Sequence, residues 1–181
     1  MSDSATRGAA SAARLEAAAG ALLAEVSRLP EPVIAWKPAE DVWSVIEILG
    51  HLAEFVPFWT AQALQITRHP EQEWGRTHAD LDRLEAVKRA PSRTLADLTQ
   101  DIQTSVAASA ATLRGLSEQA FGTEAPSRNP RWGRKPASFV VDDLLVGHLE
   151  KHLCQIQRNA TQFTEAGISS STDRSPVKTA P

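Results

Sequence analysis

The sequence predicts an all-α protein, a four-helix bundle with a long connection between helices two and three. Three observations predict it. Apolar residues recur at three- and four-residue steps in four separate stretches. Capping and breaking residues bracket those stretches. No segment alternates with period two for long enough to make a convincing strand. Four helices of roughly 20 residues would each run about 30 Å, a length suited to a bundle.

Leu15, Ala18, Leu22, Val26 and Leu29 mark the first amphipathic helix, which Pro30 and Pro32 bring to a halt. The second opens at Ser44, because Ser44 and Glu47 have the S-x-x-E spacing in which two side chains reciprocally satisfy free backbone N–H groups. Its buried stripe is Val45, Ile48, Leu49, Leu52, Val56, Trp59, Ala63 and Ile66. Pro57 is expected to kink it, and it ends near His69-Pro70. From Pro70 to Pro91 the chain is mostly polar, with a short helix around Ala79 to Lys88; it is too long for a tight helical hairpin and would cross one end of the bundle. Leu95, Leu98, Ile102, Val106, Ser109, Leu113 and Leu116 form the third helix. Phe121 to Pro136, rich in Pro, Gly and Arg, reads as a loop. The fourth helix begins at Ala137 or Ser138, carries Asp142 and Asp143 in its first turns where negative charge suits the helix dipole, and runs to about Glu165 before Gly167. Residues 1–10 and 167–181 are small, polar and aperiodic, so they are expected to be disordered ends around one domain, 11–166.

Composition narrows the function classes. A chain of 181 residues suits one domain of ordinary size. Nineteen Lys and Arg against 22 Asp and Glu leave a net charge of -3, which argues against a nucleic-acid partner. Cys154 is the sole cysteine, so neither an internal disulfide nor a cysteine zinc knuckle can form, and a reducing cytoplasm is expected. The N-terminus lacks the basic segment and continuous apolar run of a signal peptide, and nowhere do about 18 apolar residues run together, so no membrane partner is expected.

The chemistry-bearing residues are histidines. In LLVGHLEKHLCQIQRN, His148 and His152 are four apart and lie about 40° from each other on the face shared by Val141, Leu145, Leu149 and Ile156. Such a pair has Cβ atoms about 5–6 Å apart, which lets two imidazoles converge on one cation. His51, in WSVIEILGHLAEF, borders the buried stripe of the second helix and is the best third ligand. Taken alone it reads as a packed core histidine, and the i, i+4 pair alone also occurs by chance. Together the three make an open metal site, since three protein ligands leave coordination positions free. HLEKH is neither H-E-x-x-H nor H-x-x-E-H, which excludes a zincin protease, and the E-x-x-H repeat of di-iron bundles is absent.

Glu54 and Gln155 are the candidate catalytic residues around that site. Glu54 lies one turn beyond His51 and could orient its ring, serve as a base, or be solvated surface. Gln155 shares the histidine face and could hydrogen-bond a water or a ligand imidazole, fixing its tautomer. Glu47 reads as surface, His69 and His78 as exposed loop residues, and Cys154 as a buried, inert thiol. Trp36, Trp43, Phe55, Phe58 and Trp59 could line a pocket or simply fill the core. Arg128, Arg131, Arg134 and Lys135 read as a solvated loop before the last helix.

WSVIEILGHL followed, far along the chain, by HLEKHLCQI resembles the DinB-like (DinB/YfiT) superfamily over about residues 11 to 165. The resemblance implies a four-helix bundle with a long connection after the second helix and a homodimeric assembly. It also implies a divalent metal, zinc or nickel, held by His51, His148 and His152. The activities it implies are transferase or isomerase reactions with a low-molecular-weight thiol. The sequence therefore leads to a metal-dependent enzyme, a thiol-dependent transferase or hydrolase acting on a small-molecule substrate. Its rival is a non-catalytic dimeric bundle that binds a metal or small ligand.

Overall fold

The computed structural model describes residues 6–77 and 79–167. His78 and the ends expected to be disordered, at 1–5 and 168–181, lie outside the described residues. Four long helical segments form the bundle. Helix α1 spans Arg7–Val26, and a short α2 spans Glu31–Ala35. They are followed by α3, Val45–Arg68, α4, Leu81–Arg89, and α5, Leu95–Arg114. A short α6 covers Glu118–Gly122. The last segment is continuous in three parts: α7, Ala137–Phe139, a π-helical stretch, Val140–Val146, and α8, Gly147–Glu165. Helix α5 packs on both α1 and α3, and the last segment closes the ring against α1 and α3. This is the four-helix bundle with its long connection after the second main helix.

Local chemistry explains the element ends. Ser44 and Glu47 form a complete capping box, with Ser44 N donating to Glu47 Oε2 at 2.7 Å and Glu47 N donating to Ser44 Oγ at 3.4 Å. Every residue of the apolar stripe read for α3 is buried, and α3 continues through Pro57. Helix α1 starts at Arg7, within the 1–10 segment expected to be disordered. Thr6 caps it by accepting from Ala9 N at 3.3 Å, and Arg7 donates to Asp142 Oδ2 at 3.2 Å. A partner 135 residues away, unseen in the local pattern, is what orders that first turn.

One further expectation gives way, and another gains an anchor. The 121–136 segment read as a loop contains a small antiparallel hairpin, β1, Glu124–Pro126, with β2, Arg134–Pro136, pairing Ala125 with Lys135. The segment 70–91, read as polar crossing, is anchored by Trp74, which is fully buried. Its indole Nε1 donates to Ala125 O at 2.8 Å, while its backbone N donates to Pro126 O at 3.0 Å. The chain then turns at Gly75, whose φ of 88° is open to glycine and strained for other residues. Gly75 N donates to Gln62 Oε1 at 2.6 Å.

Helix α4 lies on α3 at Gly50, the residue before His51. A Cβ there would stand 2.4 Å from Ala90 Cβ and 2.9 Å from Ala86 O, so the close approach of the two helices requires glycine. Gly50→Ala is expected to destabilise the fold by about 1–3 kcal/mol, the cost of overpacking, read as a lower urea midpoint with an unchanged slope.

Candidate metal centre

Three histidines from opposite ends of the chain meet where α3 faces α8. His51 is 1% exposed, His152 is buried and His148 half-buried. His51 Nε2 lies 3.0 Å from His148 Nε2, and His152 Nε2 lies 2.9 Å from the same atom. One ligand atom from each ring falls within 4.8 Å of the others. Ligand nitrogens about 2.0–2.1 Å from a common ion are separated by about 3 Å, so the spacing of these rings matches a shared ion.

Neighbouring rings hold the imidazoles in place. Phe55 stacks on His148 with centroids 3.9 Å apart, and Trp43 lies 5.1 Å from His51 and 6.2 Å from His152. Gln155 Oε1 is 3.0 Å from His152 Nδ1. A carbonyl oxygen only accepts, so that contact puts the proton of neutral His152 on Nδ1 and leaves the Nε2 lone pair toward the other two rings. His51 Nδ1, by contrast, is buried with no hydrogen-bond partner among the described residues.

Burial is the main cause that drives all three rings toward the neutral form. It lowers His51 to about 2 and His148 to about 3, with neighbouring histidines adding to the effect. His152 falls to about 4 because the Gln155 hydrogen bond partly opposes burial. Neutral imidazole is the form that binds a metal, so the donor set fits a divalent cation. The same shifts set a pH dependence. The unfolded chain takes up protons near the ordinary value of 6.5, whereas the folded chain does so only at lower pH. The stability these histidines contribute is therefore fully present above pH 6.5 and is lost as pH falls from there through about 4 for His152, about 3 for His148 and about 2 for His51. Chelator-treated protein is expected to lose up to about 1.4 kcal/mol per pH unit for each histidine that titrates. Urea midpoints at a series of pH values check this, and a flat profile between pH 7 and 5 would contradict it.

Beside the histidines is a cavity of about 150 Å³. Phe55, Trp59, Trp132 and Leu144 supply its apolar wall, and Arg76, Arg83, Thr77 and Asn129 its polar one. Of the aromatic residues considered from the sequence, Phe55 and Trp59 reach this wall, and Trp43 lies directly beside the rings. Trp36 instead packs edge-on against Phe163 at 5.5 Å. Phe58 lies under the Arg76 guanidinium at 3.9 Å. The loop cations Arg128, Arg131, Arg134 and Lys135 are not among its lining residues.

Glu54 is not among them either. Both its carboxylate oxygens accept from Arg76, Oε1 from Nη1 at 2.5 Å and Oε2 from Nη2 at 2.6 Å, and Nη1 also donates to Asp80 Oδ1 at 3.1 Å. The carboxylate is committed to holding the 70–80 connection against α3, a different task from that of a base beside His51. Gln155 does reach a histidine. Cys154 is exposed, in place of the buried thiol expected of a free cysteine. Glu47 is tied into the cap and an ion pair with Lys37 at 3.1 Å, and His69 is an exposed residue 3.6 Å from Glu71. Sequence reasoning passed over Arg76, Arg83, Trp74 and Trp132. The one available signal was Trp74, a lone large aromatic within a polar connection.

No described helix is long and apolar enough to cross a membrane. The chain resembles YfiT from Bacillus subtilis, described as a probable metal-dependent hydrolase with an unusual four-helix bundle topology. The TM-score is 0.72 at 16% identity, covering 93% of this chain and 91% of that one. A mycothiol-dependent maleylpyruvate isomerase matches with a TM-score of 0.65 at 15% identity, over 81% of this chain. A mutant of that isomerase matches with 0.64 at 14% identity. The chain spans 59% of the isomerase's length. At these identities the likeness speaks for the fold. No curated protein sequence matches. The family model described as the DinB superfamily matches residues 14–156. The chain belongs to the DinB superfamily.

Proposed function

We propose that this protein is a metal-dependent enzyme in which His51, His148 and His152 hold one divalent cation, zinc or nickel. In this reading it transfers a low-molecular-weight thiol to a small molecule or hydrolyses one. The observation that carries the proposal is the convergence of three neutral imidazoles beside an aromatic cavity. A divalent cation held there would lower the pKa of a water or thiol in its reach, supplying a nucleophile near neutral pH. The chain's own residues do the rest. Gln155 sets the tautomer of His152, Phe55 fixes the ring plane of His148, and Phe55, Trp59 and Trp132 keep bulk water from one side of the site. The ion pair of Glu54 and Arg76 pins the connection that forms the cavity's polar side. The family resemblance extends the reading to a homodimer, and the single cysteine extends it to a reducing cytoplasm.

The test is a thiol-conjugation and hydrolysis screen on protein reconstituted with zinc or with nickel, run beside chelator-treated protein. Metal-dependent turnover supports the proposal. One bound metal per chain without turnover of any substrate would instead favour a metal-binding bundle, and wild-type protein that takes up neither metal would refute the site.

A further inference from the structure

We propose that the cavity beside the three histidines takes a small carboxylate with a flat, apolar body of about ring size, and that Arg83 selects its negative charge. This deepens the function proposed above and rests on it for the chemistry at the reacting end. Size comes first. Apolar cavities of about 150 Å³ accept a guest as large as benzene, and this one has a volume of about 150 Å³. Phe55, Trp59 and Trp132 supply an aromatic wall for such a body.

Charge is the second constraint. The cavity is lined by two guanidinium groups, those of Arg76 and Arg83, and by no carboxylate among the described residues, in a chain whose net charge is -3. The two arginines differ in role. Arg76 is 6% exposed and held from behind by Glu54 and Asp80, so it forms part of the wall. Arg83, half-buried near the start of α4, has its guanidinium 5.1 Å from the Trp43 ring, the ring that also neighbours His51 and His152. Its cation therefore lies on the histidine side of the cavity.

A guanidinium matches a carboxylate with two parallel hydrogen bonds, and removal from water strengthens the pairing. Burial and the nearby Arg76 act against the charge of Arg83, and Glu54 and Asp80 act in its favour.

Benzoate and benzamide share a size and differ in charge, so calorimetric titration of both into chelator-treated and zinc-loaded protein reads the preference directly. Benzoate is expected to bind at least tenfold more tightly than benzamide in either state. R83Q is expected to abolish that preference and R83K to retain part of it. R89Q removes an exposed cation from the same helix without touching the cavity, and should leave the preference intact. Equal binding of the two probes, absence of benzoate binding, or a preference that survives R83Q overturns the proposal. Zinc content measured on the same samples reports on the histidine site by itself. Loss of metal binding in the wild type would refute the proposed function, while the metal-free titrations still decide the role of Arg83.

Discussion

His148→Ala is expected to abolish binding of zinc and nickel while leaving the helical fold in place. His148 Nε2 is the common neighbour of the other two rings, at 3.0 Å from His51 and 2.9 Å from His152. Its removal therefore breaks both short edges of the triangle. Losing a group that merely orients a ligand costs about 10–100-fold in metal affinity. Losing this ligand is expected to cost more than about 100-fold, and Gln155→Leu is expected to fall within the smaller range. The fold should tolerate the change, because His148 is half-buried and its principal packing partner is the face of Phe55, 3.9 Å away. A stability loss of about 1 kcal/mol is expected for the metal-free variant. Elemental analysis of untagged protein gives the occupancy, and urea unfolding of chelator-treated samples gives the stability. Wild-type occupancy in the variant would remove the three-histidine site.

Glu54→Ala is expected to act in the opposite way, costing stability first. Glu54 accepts two hydrogen bonds from a guanidinium that is only 6% exposed, and its removal leaves Asp80 as the remaining carboxylate on that cation among the described residues. Breaking a buried pair by deleting one partner costs about 3–5 kcal/mol, because the remaining charge stays out of water uncompensated. Since Asp80 remains, about 3 kcal/mol is expected, which for a chain of this size lowers the melting temperature by about 10 °C. Replacing both partners, as in Glu54→Ala with Arg76→Met, should recover a large part of that loss, and the double-mutant cycle measures the coupling. A variant as stable as the wild type yet inactive in the conjugation screen would return Glu54 to the role of a base.

Much of the bundle was legible from single residues because helix periodicity and capping are local. The S-x-x-E pair at Ser44 and Glu47, the α3 stripe from Val45 to Ile66 and the one-turn spacing of His148 and His152 each depend on a few neighbouring positions. Several departures from the expectation involve long-range partners. Thr6 and Arg7 begin a helix earlier than composition suggests, with an aspartate of the last helical segment as partner. That segment passes through a π-helical stretch immediately before His148, where Gly147 N donates to Asp142 O. Trp74 anchors a polar connection because the hairpin carbonyls receive its N–H groups. Glu54, which the sequence leaves open among orienting His51, acting as a base and solvated surface, has both its oxygens accepting from Arg76, 22 residues on.

The sequence by itself determined that the chain is helical, where its main helices run, and which three histidines were available to share one ion. A helix carries those choices in spacings of three and four residues, which can be read without knowing what packs against it. Only the tertiary structure decided that His51 comes within 3.0 Å of His148, that Glu54 is bound to Arg76, and that Arg83 lies over Trp43 at the cavity. Those contacts join residues brought together by the packing of α3, α4 and α8, and a local pattern carries no record of which distant side chain will fill the space across from it.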